Sequence, residues 1–209
     1  MSNRKWIFLE AMGFFILVMA IIWFSKSIVK EDFKWIAGAP ILLWVIISWK
    51  RRGDEFDSIG IKKETVPFWI FTSALLVIIF TLAFGGNPEV FGRPDLWKKV
   101  FAKLGYPFWA LIQQLLLQGY LTNRLNQSLE KHWLASLASG AFFAAVHFPN
   151  PLLMSGCFVL GVGTAYYFLK SRNLYVIAFA HGILGTFLKY LLSQDWLENG
   201  MRVGPGFWK

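Results

Sequence analysis

Residues 110–127 read ALIQQLLLQGYLTNRLNQ, and how this stretch is read decides the fold class. Its apolar run has the character of a membrane-spanning helix, which needs about 20 residues. It nevertheless carries Gln113, Gln114 and Gln118 in its middle. Side-chain amides are costly in hydrocarbon, so they face a bundle interior or a cavity. Working outward, His147 and His181 sit inside two later apolar stretches. Three separate spans thus each carry hydrogen-bonding groups to membrane depth.

The rest of the chain fits such a bundle. Of 209 residues, 56% are hydrophobic and 16% charged, against about 25% charged in an average soluble domain. Mean hydropathy is +0.49. The expectation is an all-α polytopic transmembrane helical bundle, a single membrane domain over 1–209 with about seven spans. They fall near 6–24, 33–49, 67–84, 106–127, 133–148, 151–169 and 174–192. The link over 50–64 is the most charged and reads as a solvated loop. Residues 96–104 alternate apolar and basic side chains, as an interfacial turn does. Small residues along 135–145 suit close helix contact, and Pro149 and Pro151 force a break after the fifth span. That break carries no charge and is expected to stay within the protein at membrane depth.

Net charge is +9. In a membrane protein this favours loops held against anionic lipid. No basic cluster is interleaved with stacking aromatics, so a nucleic-acid partner is not expected. The lone Cys157 excludes an internal disulfide and a thiolate zinc site. No small-residue cleavage site follows the first apolar stretch, which reads as a retained helix. Arg4, Lys5 and the cations of 50–63 place the N-terminus in the cytoplasm, on a narrow balance. Glu10 is expected to reach the interface beside Trp6, and Arg124 to act as an interfacial anchor.

Spacing sharpens the polar positions. Gln114 and Gln118 are i, i+4 and share one face of an α-helix. Phe143 and His147 have the same relation, as do His181 and Gly185. Two neutral imidazoles and several amides can position a water and polarise a carbonyl, which is the equipment of hydrolysis in a dry site. Periodicity alone does not show that the three stripes face one another.

These residues resemble the motifs of a known family, the intramembrane CAAX proteases and bacteriocin-processing enzymes (CPBP, or Abi, family), related to the CAAX prenyl endopeptidases. Its pattern is Glu-Glu-x-x-x-Arg-Gly, then Phe-x-x-x-His, then His-x-x-x-Asn or Asp. Here the matching positions are Gln113-Gln114 with Gln118-Gly119, Phe143 with His147, and His181 with Gly185. The resemblance covers 106–192. It implies a CPBP-type core and an endopeptidase that hydrolyses a peptide bond in a membrane-associated protein or peptide. It places His147, His181, Gln113 and Gln114 at the catalytic positions, with Gln118 and Phe143 supporting them. Residues 147–151 and 172–174 also resemble a bacterial branch linked to C-terminal sorting-signal cleavage, which implies a bacterial plasma membrane.

The departures are chemical. The family's first Glu is its proposed water-activating base, and an amide cannot take that role. A carboxylate route would need Glu10 or a loop acid to fold in. The replacements are also coordinated, because Glu and Arg are lost together. Losing one alone would strand a buried charge. Two readings follow. One is an active protease in which His147 or His181 is the base and Gln113 or Gln114 orients the water. The other is a pseudoprotease acting as a binding, immunity or chaperone-like factor. No cofactor is expected. Zinc on His147, His181 and a water is the weaker option, since two histidines without Cys or carboxylate make a poor zinc set.

Overall fold

The structure is a computed structural model that describes residues 2–28, 38–61, 106–191 and 202–208. The expected third span and the interfacial segment 96–104 lie outside the described residues. Within them the chain is helical. Helix α1 is Ser2–Ile28 and α2 is Ala39–Arg52, opened by Pro40 in its first turn. Helix α3, Tyr106–Gln114, runs directly into a π-helical stretch, Leu115–Thr122, and then into α4, Asn123–Leu129. Helix α5 is His132–Ala145, α6 is Pro151–Ser171 and α7 is Leu174–Leu191. Gly204–Gly206 forms a single 3₁₀ turn. Two of these helices, over Asn3–Phe24 and Pro151–Ser171, are long and apolar enough to cross a membrane.

The core collects Phe14 from α1, Val45 from α2, Tyr120 and Leu125 from the α3–α4 run, Phe143 from α5, Phe168 from α6 and Ile177 from α7. The break after α5 is built as the prolines require. Phe148-Pro149 is cis, and the Asn150 side chain accepts a hydrogen bond from the Leu153 N–H to cap α6. The link is covered from outside. Gly204 N–H donates to the Phe148 carbonyl at 2.8 Å, and the Trp23 ring stacks on Phe148 at 5.9 Å.

Helices α5 and α6 cross where both lack a side chain. A Cβ added to Gly140 would lie 2.4 Å from Val162 Cγ2 and 2.8 Å from the Phe158 carbonyl. One added to Gly161 would lie 2.8 Å from Gly140 Cα. Backbone cannot move aside for a methyl group, so Gly140→Ala is expected to lower stability by about 1–3 kcal/mol. Thermal unfolding in detergent measures this. An unchanged midpoint would mean that the helices can separate without loss.

The segment after α2 differs from the solvated loop expected for it. Ile59 and Gly60 are buried. Ile61 bridges Asn173, and the Leu174 N–H donates to the Gly60 carbonyl at 3.0 Å. Arg172 Nη1 donates to the Ser58 carbonyl and to the Asn123 side chain. At this end the N-terminus of α1, the C-terminus of α2, α4 and the α6–α7 turn therefore meet. With them come Arg4, Lys5, Lys50, Arg51, Arg52, Arg124, Lys170 and Arg172.

Candidate functional site

The α3–α4 run decides where each amide points. An i→i+5 hydrogen-bonding pattern replaces i→i+4 from Leu115 onward. A π turn holds slightly more than four residues, so positions four apart stay near one face, and here that face meets two different helices. Gln114, fully buried, turns to α7, where its amide N–H donates to His181 Nδ1 at 2.9 Å. Gln118, equally buried, turns to α6 and donates to Thr164 Oγ1 at 2.9 Å. The Gln118 carbonyl oxygen accepts from Thr122 Oγ1 at 2.7 Å, and Ser139 Oγ lies 2.7 Å from the same Thr122 hydroxyl.

The two imidazoles meet at one ring. Phe143 lies edge-to-face with His147 at a centroid distance of 5.0 Å and with His181 at 5.6 Å. His147 Nδ1 is 2.7 Å from the Phe143 carbonyl. A carbonyl only accepts, so Nδ1 carries the proton and Nε2 keeps its lone pair. At His181 the roles reverse. Nδ1 accepts from the Gln114 amide, so in the neutral ring Nε2 holds the proton. One histidine is thus arranged as a base and the other as a donor.

Phe143 also walls an apolar cavity of about 320 Å³. Phe14, Val18, Trp109, Phe142 and Val146 line it, and among the described residues Gln113 is the one side-chain amide on its surface. The Gln113 and Gln114 carbonyl oxygens are buried without a hydrogen-bond partner among the described residues. Such an acceptor costs about 1–3 kcal/mol and marks where an N–H or a water would be received. Among the described residues, no three His, Cys, Asp or Glu side chains gather as metal ligands.

The structure thus brings Gln114, His181, Phe143 and His147 together. Gln113 sits on the adjoining cavity, and Gln118 belongs to a separate hydroxyl network. That network was not foreseen, although Thr122 lies four residues from Gln118. Removing its acceptor tests what it does. Thr164→Val leaves the buried Gln118 N–H unpaired and is expected to cost about 1–3 kcal/mol, read as a lower unfolding midpoint. No change would show that the amide finds another partner.

One charged residue differs from its expected interfacial place, and Glu10 is paired with it. Arg124 is 1% exposed. Its guanidinium reaches Asp54, Ser48 at 2.8 Å, Gln127 at 3.2 Å and Glu10 at 3.3 Å. Glu10 accepts from Ser48, Arg52 and, at 3.0 Å, from the Tyr120 hydroxyl. These charges hold α1, α2 and α4 together near the cation-rich end. The Glu10 carboxylate is committed to its arginines at that end.

Residues 95–187 match the family described as type II CAAX prenyl endopeptidase Rce1-like. Over this core the chain is similar to the CAAX protease family. No curated protein and no solved structure matches the chain. Family and apolar helices together point to an integral membrane protein. The CAAX protease match spans α3 to most of α7 and so contains all six of the residues singled out by motif.

Proposed function

We propose that the protein is an intramembrane endopeptidase that cuts a membrane-associated protein, with histidine in place of the glutamate base. The observation that carries this reading is the pair of opposed tautomers on either side of Phe143. His147 Nε2 takes a proton from water as the water oxygen attacks the scissile carbonyl. His181 Nε2–H donates to the oxyanion that forms. The C–N bond then breaks, and the proton held on His147 passes to the departing amine. Gln114 fixes the tautomer of His181. Gln113 receives a substrate N–H at the cavity wall, and the apolar cavity takes the substrate's membrane-embedded part.

The same reading has about seven spans, in a bacterial plasma membrane, with the N-terminus cytoplasmic. It is supported by the cations that gather at the end shared by α1, α2, α4 and the α6–α7 turn, since cytoplasmic loops carry the excess of Lys and Arg.

The test compares membranes from cells carrying the wild-type chain with those carrying a His147→Ala, His181→Ala double variant. Terminal-peptide mass spectrometry should find a new protein terminus, near a membrane boundary, in the wild type alone. Capture of a membrane protein by the wild type with no new terminus would overturn hydrolysis and leave the binding-factor reading.

A further inference from the structure

A second cavity lies at the cation-rich end, away from the imidazoles, between α1 and α2. It encloses about 730 Å³ and is lined by Trp6, Leu9, Glu10, Trp44, Ile47, Ser48, Arg51 and Arg52. Its two ends differ in chemistry. Along antiparallel α1 and α2, Arg51, Arg52 and Trp6 lie toward the helix ends, whereas Leu9, Ile47 and Trp44 lie deeper. The deeper wall is apolar and open: Leu9 is 55% exposed and Ile47 41%.

The charges are not balanced at the mouth. Glu10 is neutralised by Arg52 and Arg124, and Asp54 by Arg124. Arg51 lines the cavity, is exposed, and has no ion pair among the described residues. Lys50 stands beside it. Glu55 and Asp57 follow in the next segment but do not line the cavity.

We propose that this groove holds one anionic phospholipid, its phosphate on the Arg51–Arg52 rim and its acyl chain along Leu9, Ile47 and Trp44. Charge complementarity selects the occupant. A guanidinium fork matches phosphate oxygens, and a Trp-flanked groove at a helix end suits the headgroup level. Below that level a hydrocarbon chain satisfies the exposed apolar wall of Leu9 and Ile47. The inference needs membrane residence and not hydrolysis, so the two stand or fall separately.

The test uses the full chain purified in detergent, offered phosphatidylglycerol, phosphatidylethanolamine or phosphatidylcholine, with retained lipid read by native mass spectrometry. One phosphatidylglycerol per chain should be retained in preference to the other two. Arg51→Ala should weaken that retention about fivefold, the effect of one cation near an anionic headgroup. Arg51→Glu should weaken it further and Arg51→Lys little. Lys170→Ala, outside the groove lining, should leave it unchanged. Equal retention of the three lipids overturns the proposal, as does equal loss in the Lys170 variant. Displacement by inorganic phosphate would also overturn it, because the acyl chain would then contribute nothing.

Discussion

Replacing His147 with alanine is expected to lower the rate of peptide-bond cleavage by about 100- to 10,000-fold, the contribution of a positioned general base. The loss should fall on kcat, because the imidazole is asked to move a proton and not to hold the substrate. His147→Gln keeps a hydrogen-bonding side chain of similar reach but has no basic nitrogen, so it should be as inactive as alanine. His181→Ala removes an oxyanion donor and should cost about 100- to 1,000-fold. Gln114→Leu should act through His181. The ring keeps its place but loses the donor that fixes its tautomer, so the variant should lie between wild type and His181→Ala. Measured with a membrane-reconstituted substrate, this order separates roles. Equal mild losses across all four variants would mean that the imidazoles only pack helices together.

The family match makes the four-group cluster informative beyond its distances. At the position of the family's proposed water-activating glutamate the chain has the Gln113 amide, on the cavity wall, and the next amide, Gln114, is spent on orienting the His181 ring. A neutral site needs no counter-charge. The family's arginine position, Gln118, is accordingly free to tie the π stretch to α5 and α6 through Thr122, Ser139 and Thr164.

Several of these features were legible in the sequence because their physics is local. Amides and imidazoles inside apolar stretches must face inward. Prolines at 149 and 151 end a helix, and small residues along 135–145 permit a close crossing. The different partners of Gln114 and Gln118 were not legible, because they come from two other helices. A helical wheel puts the two amides on one face, but only the packing shows that this face meets α7 at Gln114 and α6 at Gln118. Arg124 was misread for a similar reason. Its partners come from α1, α2 and the segment that follows α2, so only tertiary structure shows that it is paired. A cue existed nonetheless: Glu10 is an acid within an apolar span, and such a group calls for a cation. The segment 54–61 looked like a solvated loop by composition, but Ile59 and Gly60 are pinned to the start of α7, which charge counting cannot reveal.

Arg124→Met is expected to be the most destabilising single change near the cation-rich end, at about 3–5 kcal/mol. The arginine is fully buried and is shared by two carboxylates. Methionine matches much of its length but leaves Asp54 with no cation and Glu10 with Arg52 alone. Desolvated carboxylates cannot recover that loss without water. Glu10→Gln should cost less, about 1–2 kcal/mol. Arg124 keeps Asp54 in that variant, and Arg52, whose side chain is 25% exposed, can be hydrated instead. The asymmetry is the diagnostic. In the triple variant Arg124→Met, Glu10→Gln, Asp54→Asn no carboxylate is stranded, so much of the stability lost in Arg124→Met alone should return. Unfolding midpoints in one detergent, for the two single variants and the triple variant, supply the comparison. If the triple variant is no more stable than Arg124→Met, the arginine contributes through packing and its contact with the Tyr120 ring at 5.2 Å, and not through charge.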